Sequence, residues 1–455
     1  MTRPFRLTLI HQCIGRRVGE RYIRSWQMQP LPPAVIAGLT PSDVDVRFYD
    51  DRLEVIPYDE PSDLVALSVE TYTAKRAYQI ATEYRRRGVP VVMGGFHASL
   101  VPDEVSEYAE SVVVGEAEEL WPRIVDDYRH GRPEKIYRAE GRPSLARATP
   151  DRRIFQNKRY LPIGLIEAGR GCQFNCEFCA IQTVFQRSQT RRPFEAIVAE
   201  LEAIKGQHKL VFFVDDNIAS DLEEGKELLR VIKKAGVRWV SQMSLNAAHD
   251  EEYLDLLNDS GCAGVLIGFE SLNVDNLARM GKSFNAKQGG FEAAVTKLRQ
   301  KRIRLYVTFV FGYDEDTPES FTASVRFAKE HGFYITAFNH LTPFPGTPLY
   351  ERLAREGRLL YDKWWLDPRY SYNRIPFQPK GLSPDELQRH CVQARTDFYS
   401  VPSILRRSCD RVNRGDFFMW RNFFLINAMH RAEVSRRDFY PLGDETWQGE
   451  LLRVS

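Results

Sequence analysis

The chain has 455 residues, 43% of them apolar and 27% charged, and its 63 Lys and Arg nearly balance 61 Asp and Glu for a net charge of +2. That composition excludes a disordered or fibrous chain, and near-neutrality excludes a global field that recruits nucleic acid or an anionic membrane. At roughly 150 residues per domain the length predicts two or three domains.

The apolar run near the start is only LTLI (7–10), too short for a signal peptide, and no stretch has the ~18 apolar residues of a membrane span. Seven cysteines, an odd number, do not make a disulfide framework. A reducing, cytoplasmic setting without membrane association is expected.

In chain order, β-branched runs at 5–10, 44–49, 63–69, 89–95 and 111–116 read as strands. Between them, 30–39, 73–88 and 115–128 read as helices, the last two with apolar spacing near 3.6. Alternating strands and helices predict a parallel, doubly wound, Rossmann-like α/β domain over 1–130. The polar, Pro- and Gly-containing stretch 131–153 reads as a linker.

A second series follows, with strands expected at 161–169, 209–216, 237–244, 263–270, 304–312 and 335–342. Helical segments at 194–206, 222–236 and 251–261 each close on a glycine. Six such units are fewer than the eight of a closed barrel, so 154–345 is expected to form a partial (β/α)6 barrel. The aromatic, Arg-rich remainder, 346–455, is expected to be mainly helical.

GRGCQFNCEFCA (169–180) sets Cys172, Cys176 and Cys179 at C-x3-C-x2-C. Three thiolates within eight residues converge when the loop wraps one soft metal centre. Structural zinc and most iron–sulfur clusters take four protein ligands, and no nearby Cys or His supplies a fourth. The spacing therefore suggests a cluster with one iron open to a non-protein ligand, against the plain alternative of three unpaired cysteines. Cys13, Cys262, Cys391 and Cys409 are scattered and read as ordinary thiols.

This motif after the first strand of a βα series, with Phe178 before the last cysteine, resembles the radical S-adenosylmethionine (SAM) superfamily. The resemblance implies a [4Fe–4S] cluster whose open iron binds SAM, cleavage of SAM to a 5′-deoxyadenosyl radical, and an external electron donor of the flavodoxin or ferredoxin kind. It also implies SAM contacts from strand ends: Asp215 and Asp216 in VDDN, Ser244 after WVSQM, and Glu270 and Ser271 in GFES. The alternative for each is a solvated carboxylate or a helix cap.

Residues 92–104 and 112–119 resemble the cobalamin-binding domain that precedes many radical SAM enzymes, with Gly94 and Gly95 where backbone approaches a ligand or packs tightly. There is no D-x-H-x-x-G segment, so no histidine is marked as a cobalt ligand. His97 reads as a polar loop residue, and Arg16, Arg17, Arg21 and Arg24 crowd the first loop. Cobalamin is thus a conditional cofactor.

Three functions compete. The leading expectation is radical dehydration of a diol on an amino sugar, because the chain is similar to the family member that deoxygenates an apramycin-type aminoglycoside. Asp314, Glu315 and Asp316 would join Asp215, Asp216 and Glu270 at an acidic barrel mouth, with Asp216 and Glu315 as general acid or base. A separate reductase acting on the product would fit that reading. The same loop also reads as a helix start capped by Thr317. The alternatives are cobalamin-dependent C-methylation in natural-product biosynthesis, and tRNA or protein modification with Arg406, Arg407, Arg411 and Arg414 meeting phosphate. A non-catalytic metal-binding protein would leave the acidic strand ends without a task.

Overall fold

The computed structural model describes all residues except 1–2, 21, 23–26, 288, 437 and 455. It divides into two compact units. The first comprises Met1–Leu161, Asp362–Tyr372 and Tyr440–Ser455, and the second comprises Pro162–Tyr361 and Asn373–Phe439.

Six parallel strands form the sheet of the first unit: β1 (Arg6–His11), β2 (Asp45–Asp50), β3 (Leu64–Ser68), β4 (Val91–Gly94), β5 (Ser111–Val114) and β6 (Ile136–Arg138). Their order is β2-β1-β3-β4-β5-β6, with Leu9 opposite both Phe48 and Ala66. Strands β3, β4 and β5 are almost wholly buried, which suits Val-rich strands covered on both faces. Helices α1 (Leu31–Leu39) and α3 (Trp121–Arg129) share one core with Leu7, Leu9, Val92 and Val113. Helix α2 (Ala74–Arg86) also packs against the sheet at β4.

The stretch 131–153, expected as a linker, contains β6, with Ile136 paired to Val112. Tyr137 is buried there and its hydroxyl donates to Asp127 at 3.1 Å. Two apolar residues among charges are too few to announce a strand. The tail is likewise not one region. Gly443 pairs with Gly15, and Trp365 donates its indole N–H to Glu104 at 2.8 Å, so both segments belong with the first unit.

The second unit carries the other expected sheet: β7 (Gly164–Ile166), β8 (Val211–Phe213), β9 (Trp239–Gln242), β10 (Cys262–Glu270), β11 (Arg304–Phe311) and β12 (Ile335–His340). All pair in parallel in sequential order, β7 to β12, as an open partial barrel does. Outside lie α4 (Phe194–Ile204), α5 (Leu222–Ala235), α6 (Glu251–Asp259), α7 (Gly290–Gln300) and α8 (Pro318–Glu330). Helix α5 ends at Gly236 in the left-handed conformation that its sequence announces. The helices α9 (Pro384–Phe398), α10 (Val401–Ser408) and α11 (Phe417–Arg436) complete the unit.

Period-two burial separates the two faces of this sheet. Phe311 stacks on Phe321 of α8 at 4.1 Å, Phe269 on Phe291 of α7 at 4.6 Å, and Phe338 meets Phe398 of α9 at 5.7 Å. The alternate residues Leu266, Tyr306, Thr308, Val310 and Ala337 face inward and stay partly exposed, and Asn339 on the same face is exposed. These inward side chains are all uncharged.

Candidate functional site

The three cysteines lie between the strands of an antiparallel ribbon, Gly169–Gly171 and Gln189–Arg191. Cys179 starts the short helix Ala180–Phe185, and its N–H donates to the Cys176 carbonyl at 3.0 Å. Cys176 is buried, while Cys172 and Cys179 are partly exposed.

The VDDN segment after β8 holds one side of this loop. Asp215 is buried and accepts from the Ala168 N–H at 2.7 Å and from Arg191 at 2.9 Å. Burial pushes its carboxyl up to about 7, against the pull of Arg191 and the Ala168 amide. Both its oxygens therefore serve the scaffold, whereas the sequence suggested the SAM ammonium. Asp216 accepts the Gly171 N–H at 2.7 Å, next to Cys172. Asn217 donates to the Cys172 sulfur at 3.6 Å and to the Ser244 hydroxyl at 3.1 Å, and accepts the Ser244 N–H at 3.1 Å.

The other side of the loop rests on residues 280–282. The Glu177 N–H donates to the Met280 carbonyl at 3.1 Å. Gly281 has φ +77°, and a Cβ there would collide with the Asn175 carbonyl. Gly281→Ala is therefore expected to displace the cysteine loop and lower iron per chain after anaerobic reconstitution, with far-UV circular dichroism unchanged. Full iron content would show that the loop does not depend on this contact.

Glu270, at the end of β10, has φ +65°, a conformation costing of order 1–3 kcal/mol outside glycine. The register of β10 against β11 shifts there, between Gly268 and Glu270. Its carboxylate pairs with Lys282 at 2.6 Å and accepts from Thr308 at 3.4 Å. Lys282 lies 5.9 Å from the centre of the Phe178 ring. Burial opposes its charge, but Glu270 holds the ammonium well above the usual lysine range. Ser271 is buried and its hydroxyl accepts from the Asn273 N–H at 3.1 Å, which starts a turn.

The expected acidic mouth is charge-compensated. Asp314 is bound by Arg279 at 3.0 Å, Arg358 at 3.1 Å and Lys380 at 2.8 Å. Glu315 is exposed and pairs with Arg279 at 3.2 Å. Asp316 is buried, accepts from the N–H groups of Gly312 and Tyr313 and from Asn276, and is pushed up to about 6 by burial. Thr317 and Ser320 form a capping box on α8, so GYDEDTPES is a helix start.

In the first unit, His97 is fully buried, with its ring nitrogens 3.3 Å from Thr71, 3.2 Å from Tyr78 and 3.3 Å from Glu104. It is a satisfied core residue, not a loop histidine open to a metal. Gly95 has φ +94°, and a Cβ there would lie 2.8 Å from the Val69 nitrogen, so this glycine serves tight packing. Arg16 pairs with Asp51 at 2.6 Å and Arg17 stacks over Tyr440 at 5.1 Å. Arg21 and Arg24 lie outside the described residues.

Among the described residues, no three His, Cys, Asp or Glu side chains already gather as a metal-ligand set. The donor chemistry nevertheless fits a soft iron centre: three free thiols on one loop, none engaged in a disulfide, with Asn217 donating to the Cys172 sulfur. Burial pushes Cys176 up to about 12 and raises Cys179, so both are protonated until a metal displaces the proton. Arg191, Asn217, Gly281 and Lys282 escaped the sequence reading. Only Asn217 carried a signal, as the residue following two suspected carboxylates.

The family pattern described as the radical SAM superfamily matches residues 166–328. Bacteriochlorophyllide d C-12(1)-methyltransferase of Chlorobaculum tepidum is 32% identical over 88% of this chain and 89% of its own length. The same organism's bacteriochlorophyllide d C-8(2)-methyltransferase is 26% identical over 82% of this chain and 86% of its own length. The solved radical SAM methyltransferase TsrM from Kitasatospora setae, with cobalamin and a [4Fe–4S] cluster bound, shares the fold at a TM-score of 0.63 and 18% identity, covering 95% of this chain and 100% of its own. Strand order, cysteine loop and full-length likeness agree: the chain belongs to the radical SAM superfamily, whose cofactors are a [4Fe–4S] cluster and SAM.

Proposed function

We propose that this protein is a cobalamin-using radical SAM C-methyltransferase whose acceptor is a large, largely apolar small molecule of the tetrapyrrole class. The observation that carries the reading is the likeness over nearly the whole chain to a methyltransferase named for bacteriochlorophyllide. The inward face of the second unit supports it. Leu266, Tyr306, Val310 and Ala337 offer apolar surface, while Thr308 and Asn339 offer neutral polar groups. A cationic amino sugar would need free carboxylates, and Asp314, Glu315 and Asp316 are engaged by protein partners. Dehydration thereby loses the physical argument that favoured it.

The case for tRNA modification loses one of its four arginines, while Arg406, Arg411 and Arg414 stay exposed. Arg407 is buried, 3.8 Å over the Phe398 ring, and donates to Asn427 at 3.0 Å, so it offers nothing to phosphate.

When bound, the cluster and SAM supply a hydrogen-abstracting radical, and cobalamin supplies methyl transfer. Cys172, Cys176 and Cys179 would hold the cluster, while Asp215, Asp216 and Asn217 fix their loop from β8. Ser244, hydrogen-bonded to Asn217, would contact SAM beside that loop. In the balance, the acceptor's hydrogen leaves in 5′-deoxyadenosine, the methyl comes from a second SAM, and an external donor provides two electrons. His97 has no free nitrogen for cobalt, so corrin binding would not use it.

The test is anaerobic turnover with methyl-deuterated SAM, hydroxocobalamin, a strong reductant and a bacteriochlorophyllide-type substrate. The reading expects a tetrapyrrole product in which one hydrogen is replaced by a methyl group carrying all three deuteriums. Product lighter by one water, with no label, would reject it for dehydration.

A further inference from the structure

The segment 280–285 joins two places that the site needs. At one end, Met280 and Gly281 carry the cysteine loop through Glu177 and Asn175. At the other, Asn285 donates to the carbonyls of Gly268 at 3.0 Å and Phe269 at 3.3 Å, fixing the end of β10. Between them, Lys282 meets Glu270 at 2.6 Å and reaches the Gly268 carbonyl at 3.4 Å. Gly268 makes the room: a Cβ there would collide with the Glu270 carboxylate and come within 2.8 Å of the lysine nitrogen.

Buried ion pairs contribute little net stability, because desolvation offsets attraction. Here Glu270 also sits in the left-handed region. A pair built at such cost beside three cysteines calls for another task.

We propose that Lys282 is a positioning residue of the iron–sulfur centre: its ammonium, held by Glu270 against the Cys172–Cys176–Cys179 loop, sets how readily the cluster accepts an electron. The inference rests on those cysteines being the cluster ligands and not on the acceptor's identity. Reduction adds one negative charge to the cluster. A neighbouring cation in a poorly hydrated place favours the reduced form, and a neighbouring carboxylate opposes it. Lys282 and Glu270 thus act with opposite signs on one equilibrium.

The experiment is a redox titration of the reconstituted holoenzyme, followed by electron paramagnetic resonance without substrate, for wild type, Lys282→Met, Lys282→Arg and Glu270→Gln. Lys282→Met is expected to lower the reduced-to-oxidised ratio at fixed potential roughly tenfold, about 59 mV for a one-electron couple. Glu270→Gln should move it the other way, and Lys282→Arg should stay near wild type. An unchanged potential in a fully iron-loaded Lys282→Met protein overturns the proposal. So do shifts of the same sign in Lys282→Met and Glu270→Gln, which would mean a distorted loop. Should Lys282→Met fail to load, a wild-type potential in Glu270→Gln overturns it. Wild-type protein that takes up no iron defeats the ligand assignment as well. A negative methylation test beside the expected potentials would reject the acceptor reading alone.

Discussion

Replacing Cys172, Cys176 and Cys179 together by Ala is expected to bring iron after reconstitution to background and to abolish SAM cleavage. The fold should survive, because much of the loop's attachment is independent of sulfur. Gly171 and Gln173 are held by Asp216 at 2.7 Å and Ser220 at 2.9 Å, and Glu177 is held by Met280 and, at 2.6 Å, by Arg352. Cys176 is the most enclosed of the three, and the methylenes it buries are few. Iron and labile sulfide analysis with thermal unfolding checks both halves. Iron retained at wild-type stoichiometry would mean that other groups hold it.

The largest expected loss of stability lies in the first unit, at Asp51. This fully buried carboxylate accepts from Arg76 at 2.8 and 2.9 Å, from Arg16 at 2.6 Å and from the Cys13 N–H at 3.2 Å. Burial pushes its pKa up, but the two guanidiniums outweigh that and hold it down to about 2. Asp51→Ala leaves Arg76 buried without its main partner, which costs about 3–5 kcal/mol.

The pH dependence has a definite sign. The folded value lies below the unfolded 3.8, so the pair's contribution is complete above about pH 4 and is lost as pH falls towards 2. That contribution is about 2 kcal/mol, at 1.36 kcal/mol per pH unit. Urea unfolding of wild type should weaken across this window more than that of Asp51→Ala. Equal acid sensitivity in both proteins would place the effect elsewhere.

Asp51 also shows what the sequence hid. Arginines crowd the first loop in the sequence, yet Arg16 answers an aspartate 35 residues away. Local patterns were legible: β-branched runs marked the barrel strands, glycines marked helix ends, and cysteine spacing marked the metal loop. All of these depend on neighbours within one or two turns. Ion pairing does not. Asp314 meets Lys380 across 66 residues, and nothing in GYDEDTPES distinguishes a solvated acidic mouth from one already neutralised. The partners of Asp215 were hidden for the same reason, since Ala168 and Arg191 lie 47 and 24 residues before it. Edge strand β6 was missed because Ile136 and Tyr137 alone cannot show a period.

The central claim, radical methylation, is tested most directly by the ratio of two coproducts. Anaerobic turnover with a tetrapyrrole acceptor should release S-adenosylhomocysteine and 5′-deoxyadenosine in equal amounts, each matching methylated product. 5′-Deoxyadenosine formed with product but without S-adenosylhomocysteine would contradict the account.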